Sequence, residues 1–256
     1  MESGKSRVTV GTAGKVFTGA PAAWKAFPRP AGKPAEGSRH WLAGMIDHTL
    51  LKPDAVESEI KGLCREAVSY GFAAVCVNPC WARLASQSLK GTSVKVCAVV
   101  GFPFGSHVTG IKAAEAAEAV RDGADELDMV IALGPLKSGK PREVLEDVRA
   151  VREACAGKVL KVILETSLLT LAQKVEGCVI AREAGADFVK TSTGFAGGGA
   201  TVEDVRILRE AAGPKIGIKA SGGIRTYEFA RSLIQAGATR LGTSASVEIL
   251  TAGTAS

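Results

Sequence analysis

Lys161, Lys190 and Lys219 follow one another at intervals of 29 and 29 residues. Each sits in a short apolar run: Leu160-Lys-Val-Ile-Leu-Glu165, Phe188-Val-Lys-Thr-Ser-Thr193 and Ile216-Gly-Ile-Lys-Ala-Ser221. Lysine is seldom buried without a partner, so three at equivalent positions need an explanation. If these runs are strands that turn alternate residues into one interior, the ammonium groups crowd together and each disfavours the charge of the others. A desolvated lysine beside a cation then becomes a neutral amine, the form that attacks a carbonyl to give a Schiff base. The alternative is that one or two of them reach outward between helices, or pair with Glu165. Asp128, in Asp125-Glu-Leu-Asp-Met-Val130, is the counter-charge and a group able to move protons. Asp47, in Met45-Ile-Asp-His-Thr-Leu50, is a second inward carboxylate, with a purely structural role equally open. Asp125 and Glu126 read as strand-entry residues.

Glycine-rich segments near the C-terminal part of the chain point to a phosphate. Ser221-Gly-Gly-Ile-Arg225 and Leu241-Gly-Thr-Ser244 each follow a candidate strand, and a third segment carries Gly194 and Gly197-Gly-Gly199. Glycine lets backbone N–H groups approach an anion closely, and barrels commonly bind phosphate in the loops after their last two strands. The phosphate set is therefore Gly194, Gly222, Gly223, Arg225, Gly242 and Ser244. Zinc finds little support, because the only histidines, His40, His48 and His107, show no ligand spacing. Dispersed Asp and Glu could still hold Mg2+, but no metal and no cofactor is expected.

The elements that would hold these residues follow from periodicity. Ile60, Leu63, Cys64, Ala67 and Val68 recur at helical spacing and run into Gly71; Val144, Val148, Val151 and Cys155 precede Gly157; Val205, Leu208 and Ala212 precede Gly213. Each glycine suits a left-handed helix C-cap. Helix-ending glycines recur at Gly71, Gly123, Gly185 and Gly237, at intervals of 52, 62 and 52 residues, which fits two strand–helix units per interval. Eight strands are expected near residues 45–50, 73–78, 95–101, 126–132, 159–165, 187–192, 215–220 and 240–244. Near-continuous apolar strands alternating with helices imply a parallel sheet, and eight of them favour an α/β, (β/α)8 TIM barrel. An open doubly wound sheet is the alternative, but no GxGxxG follows the first strand.

Composition is that of a globular domain: 256 residues, 46% hydrophobic and 23% charged. Such a length suits one barrel with an N-terminal extension, 1–40, ahead of a domain at 41–256. The extension holds seven Lys/Arg against two Asp/Glu, so it accounts for five of the six net positive charges. The domain therefore has no nucleic-acid footprint. Residues 1–40 read as a basic, Pro/Gly-containing, mobile leader; docking through Trp24 and Phe27 and an organellar targeting peptide are the alternatives. No long apolar run or secretory signal is evident, so no membrane is expected and a cytoplasmic location is. The six cysteines, with no CxxC pair, read as reduced.

Together, Phe188-Val-Lys-Thr-Ser-Thr-Gly194, Ile218-Lys-Ala-Ser-Gly-Gly-Ile-Arg-Thr226, Ala124-Asp-Glu-Leu-Asp-Met-Val130 and Ile46-Asp-His-Thr-Leu-Leu-Lys-Pro53 closely resemble the 2-deoxyribose-5-phosphate aldolase family. These are metal-independent class I aldolases on a (β/α)8 barrel, and the likeness runs from about Met45 to Leu250. It implies reversible cleavage of 2-deoxy-D-ribose 5-phosphate to acetaldehyde and D-glyceraldehyde 3-phosphate. It also implies Lys190 as the Schiff-base nucleophile, Lys219 as the neighbour that lowers its pKa, and Asp128 as the proton relay; Asp47 and Lys161 are supporting candidates. Partners would be a sugar phosphate and aldehydes, and a homo-oligomer is compatible with the sequence. Some members carry a basic residue after K-T-S-T-G that helps hold phosphate; here that position is Phe195. A transaldolase-like Schiff-base barrel, or a non-catalytic sugar-phosphate binder, are the competing readings.

Overall fold

The computed structural model describes residues 40–252, together with Val8–Thr9 and Val16–Phe17. Those two short segments pair antiparallel, a regular element not expected of the leader. The expectations for Trp24 and Phe27 lie outside the described residues.

All eight expected strands form, and they close into one parallel barrel. They are β1 Ile46–Leu50, β2 Ala74–Val77, β3 Lys95–Val100, β4 Glu126–Val130, β5 Val159–Ile163, β6 Phe188–Lys190, β7 Gly217–Ser221 and β8 Arg240–Thr243. The barrel shuts where β8 pairs with β1 at Leu241↔Ile46, Gly242↔Asp47 and Thr243↔His48. A helix follows each strand: α1 Glu57–Tyr70, α2 Ala82–Ser88, α3 Thr109–Arg121, α4 Pro141–Ala154, α5 Leu171–Glu183, α6 Val202–Ala212, α7 Tyr227–Gln235 and α8 Ser246–Thr251. β6 is shorter than expected: Thr191 still donates its N–H to the Lys219 carbonyl of β7, but its own carbonyl accepts from Thr166 in the loop after β5, and the Thr193 N–H goes to the Glu165 carboxylate.

The caps explain where helices begin and end. The Glu59 carboxylate accepts the Val56 N–H at 2.8 Å before α1, and Gly71 closes that helix with φ 70° and ψ 39°. Thr170, Thr201 and Thr226 accept backbone N–H groups at the starts of α5, α6 and α7. Three expectations need correction. Gly213 has φ 77° but ψ 179°, an extended conformation, so α6 ends without a left-handed cap. Gly157 lies beyond the end of α4, and Val68, counted on the α1 apolar stripe, is exposed.

Alternation divides the strand residues between two cores. Ile46, Val75, Val96, Leu127, Leu160, Val189, Ile218 and Leu241 pack under the helices. Inside the barrel, one side is apolar, built from Ala74, Cys76, Cys97 and Val99 with Leu51 and Phe102. The other side of the interior is charged, and that asymmetry shapes the site. The six cysteines are free thiols, five of them buried.

Candidate active site

β4 to β8 each contribute a charged side chain to the barrel interior, and β1 adds one more. Asp128 is the hub. Its Oδ2 accepts from Lys190 Nζ at 2.7 Å and from Lys219 Nζ at 2.6 Å, while Oδ1 accepts from Lys161 Nζ at 2.8 Å. Lys190 and Lys219 are direct register partners across β6 and β7, so both side chains leave the sheet on the same side at the same level. Lys161 pairs instead with Phe188, placing it one inward layer below Lys190. The expectation that the three lysines share one interior is met, and Glu165 pairs with none of them.

Asp47 lies beside them, fully buried. It takes Lys219 Nζ at 2.5 Å on Oδ2 and the Arg240 guanidinium at 2.6 Å on Oδ1. Gly242, opposite Asp47 in the register, makes room: a Cβ there would stand 3.0 Å from Lys219 Cε. The structure thus places Gly242 in the wall of the barrel, against the lysine stem, rather than in an open loop.

Carboxylates correct the simple picture of mutually repelling cations. Burial opposes the charge on Lys219, but Asp128 and Asp47 outweigh it and hold its pKa above the ordinary lysine value. Lys161 is likewise raised, against burial, by Asp128, Cys97, Asp47 and Glu126. Asp128 shows the reciprocal effect: burial would raise it, yet Lys161, Lys190 and Lys219 hold it well below the carboxylate range. Lys161 and Lys219 are therefore fixed cations, not neutral amines.

Sequence reasoning missed four side chains here. Glu126, read as a strand-entry residue, is buried, pairs with Lys161 at 2.6 Å and meets Arg240 at 3.1 Å. Asp125 does keep the entry role, accepting the Val96 N–H at 3.1 Å. Arg240 begins β8, bridges Glu126 to Asp47 and covers the Phe188 ring with its Cζ 5.6 Å from the centroid. Its alternation with Gly242 along β8 was the available signal. Cys97 donates to Asp128 Oδ1 at 3.1 Å, and Cys76 stands directly opposite Cys97 in the register. Cys76, Cys97 and Asp128, and also Asp47, Cys97 and Glu126, are close enough to form metal-ligand clusters. Every carboxylate in those clusters already faces an ammonium or guanidinium group that would repel a metal ion.

At the C-terminal mouth, the loops after β5, β6 and β7 interlock. Glu165, at φ 53°, accepts the Thr193 N–H at 3.1 Å and also the Thr193 hydroxyl, fixing the segment that follows Lys190. Gly222 and Gly223 both adopt positive φ, 88° and 75°. The Gly222 carbonyl accepts the Ala200 N–H at 3.0 Å, and a Cβ on Gly199 would stand 2.6 Å from that same oxygen. These glycines are required for two backbones to meet. Gly194, at φ 86°, faces Gly222 with 4.0 Å between its would-be Cβ and the Gly222 Cα. Arg225 and Ser244 are exposed beside these turns, and Arg225 makes no ion pair among the described residues. Ser192 Oγ and Glu165 Oε1 are buried without a hydrogen-bond partner among the described residues, leaving polar capacity near the mouth for a ligand. Phe195 is 48% exposed and meets Phe102 edge to face at 5.2 Å.

A closed (β/α)8 barrel whose interior holds an amine, a second fixed ammonium and a shared carboxylate is the equipment of a lysine-dependent, Schiff-base aldolase. The comparisons with known proteins agree with that class. Residues 42–255 match the DeoC/LacD family aldolase description, and the chain belongs to this family. It is 58% identical over 210 residues to "Deoxyribose-phosphate aldolase 1" of Bacillus licheniformis, covering 82% of this chain and 94% of that one. Among solved structures it is similar to a tetrameric deoxyribose phosphate aldolase from Aeropyrum pernix, with a TM-score of 0.80, 38% identity and coverage of 86% and 93%. It is also similar to an aldolase called QR15, with a TM-score of 0.79, 45% identity and coverage of 82% and 94%. Among the described residues, no helix is long and apolar enough to cross a membrane.

Proposed function

We propose that this aldolase reversibly cleaves 2-deoxy-D-ribose 5-phosphate to acetaldehyde and D-glyceraldehyde 3-phosphate, with Lys190 as the Schiff-base nucleophile. The observation that carries the choice of lysine is access. Lys190 ends β6 at the mouth and its side chain is 3% exposed, whereas those of Lys161 and Lys219 are 0% exposed and each is held by two or more carboxylates.

The Lys190 amine attacks C1 of the open-chain aldehyde to give a carbinolamine, and loss of water leaves a protonated imine. As the C3 hydroxyl gives up its proton, the C2–C3 bond breaks and its electron pair moves into the iminium. D-Glyceraldehyde 3-phosphate departs and an enamine remains. Protonation at C2 and hydrolysis release acetaldehyde and restore the amine. Asp128, whose Oδ2 lies 2.7 Å from Lys190 Nζ, is placed to relay these protons, directly or through water. Lys219 supplies the fixed positive charge beside the reacting nitrogen, favouring the free amine of Lys190. Asp47 and Lys161 support the arrangement by holding Lys219 and Asp128. The apolar wall of Ala74, Cys76 and Val99 suits the two-carbon end of the substrate.

Phosphate binding falls to the interlocked turns at Gly194, Gly222 and Gly223, with Arg225 and Ser244 nearby. Gly242 contributes through the placement of Lys219. Residues 41–256 are the catalytic barrel, and 1–40 form an extension without any proposed site residue. A cytoplasmic location and a homo-oligomer accompany this reading, the latter supported by the tetrameric relative. Incubation with 2-deoxy-D-ribose 5-phosphate should release acetaldehyde, measured by a coupled alcohol dehydrogenase. Turnover only of hydroxyketone donors would favour a transaldolase-like enzyme instead.

A further inference from the structure

The buried charges of the barrel have a simple count. Ion-paired with one another are the cations Lys161, Lys190, Lys219 and Arg240 and the carboxylates Asp47, Glu126 and Asp128; Glu165, also buried, lies at the mouth and bonds Thr193 instead of any of these cations. The remaining walls, β2 and β3, face them with the thiols Cys76 and Cys97. Arg240 and Glu126 stay almost out of solvent, with side chains 16% and 6% exposed, and the other five are exposed by 3% or less. With every group ionised the cluster carries one excess positive charge. With Lys190 as the free amine it carries none. Lys161 and Lys219 each face two or more carboxylates whereas Lys190 faces only Asp128, so within this set Lys190 is the cation least held in its charged form.

We infer that Arg240 and Glu126 are positioning residues for the aldol reaction: through Asp47 and Lys161 they set the net charge that makes the Lys190 amine free. Neither can touch a substrate bound at the mouth. Arg240 opens β8 at the opposite end of the barrel, and Phe188, to which Gly217 yields space, packs beneath its guanidinium. Arg240 neutralises Asp47 Oδ1 at 2.6 Å, which keeps Asp47 from cancelling the Lys219 charge completely. Glu126 acts in the opposite sense, drawing on Lys161 at 2.6 Å and on Arg240 at 3.1 Å.

This inference rests on the reading of Lys190 as the nucleophile, and its test separates the two. The full chain and the variants Arg240→Met, Arg240→Lys, Glu126→Gln and Arg240→Met/Glu126→Gln are compared by kcat/KM against pH. Acetaldehyde–borohydride trapping with peptide mapping runs in parallel. Arg240→Met removes a cation, so the acid limb should move to higher pH by about one unit, with imine formation about tenfold slower below the limb. Glu126→Gln removes an anion and should move it to lower pH. Arg240→Lys should keep the wild-type limb, and the double variant, which restores neutrality, should return towards it. Opposite shifts are not produced by a general loss of packing. If Arg240→Met does not fold, the direction of the shift in Glu126→Gln still decides, an unshifted or upward limb overturning the inference. Limbs that stay unshifted, or that shift the same way in both single variants while the adduct maps to Lys190, overturn the inference. An adduct on a lysine other than Lys190 overturns the reading beneath it.

Discussion

At the Lys219 position, loss of the ammonium leaves Asp47 and Asp128 with one cation fewer, so Lys190 should hold its proton to higher pH. If the neighbour is worth about 2 pKa units, Lys219→Ala should lower turnover on the order of a hundredfold at neutral pH. It should also move the acid limb upward while keeping the trappable amine. A pH–rate profile checks both, and an unshifted limb would reduce Lys219 to a packing role. The turns proposed to bind phosphate allow a second prediction. Gly223 has φ 75° with no atom within 4 Å of a would-be Cβ, so Gly223→Asp, a residue tolerant of that conformation, puts a carboxylate there without a clash. KM for the phosphorylated sugar should rise markedly and free deoxyribose should suffer less; equal losses would make these turns structural. The lysines and Asp128 were legible because charge in apolar strand runs is conspicuous. Glu126 and Arg240 were not, because the first residue of a strand can point to solvent or into the barrel, and only closure of the sheet decides which.

Among the elements, β1 shows how one strand serves two layers. Asp47 points into the charged interior, while the next residue, His48, faces outward, with Nε2 2.7 Å from Glu66 on α1 and Nδ1 2.9 Å from Ser246 on α8. Burial lowers the His48 pKa below its ordinary 6.5, in spite of the Glu66 carboxylate. The unfolded chain then binds a proton that the folded one refuses, so the His48 contribution to stability is present above about pH 6.5 and is lost as pH falls below it. Thermal melts of the wild type and His48→Gln at pH 7.5 and 5.5 should show a larger acid-induced loss in the wild type, on the order of 1 kcal/mol. Equal losses would contradict the assignment. Element order and type were readable from the alternation of apolar runs with 3.6-residue stripes. Ends were less so: Gly213 carries the expected positive φ without the left-handed ψ, because the chain must extend there to reach β7.

For the whole molecule, barrel closure turns separate motifs into a site. Register alone brings Asp47 of the first strand to Lys219 of the seventh, a separation in sequence of 172 residues. That the motifs share a fold was legible from eight repeated units; that their charges nearly cancel was not, since pairing across a closed sheet has no local signature. The cationic crowd around each carboxylate predicts independence from divalent metal. Prolonged dialysis against a chelator should leave kcat unchanged, and activity recovered only on adding a metal ion would refute this. The central claim is that Lys190 becomes covalently bound to the two-carbon product. Its most direct measurement is reduction of the protein with borohydride in the presence of acetaldehyde, followed by peptide mass mapping. An ethyl group on Lys190, absent from Lys190→Ala, is the result expected; modification of Lys161 or Lys219 in the unaltered protein, or no adduct while the enzyme turns over, would contradict it.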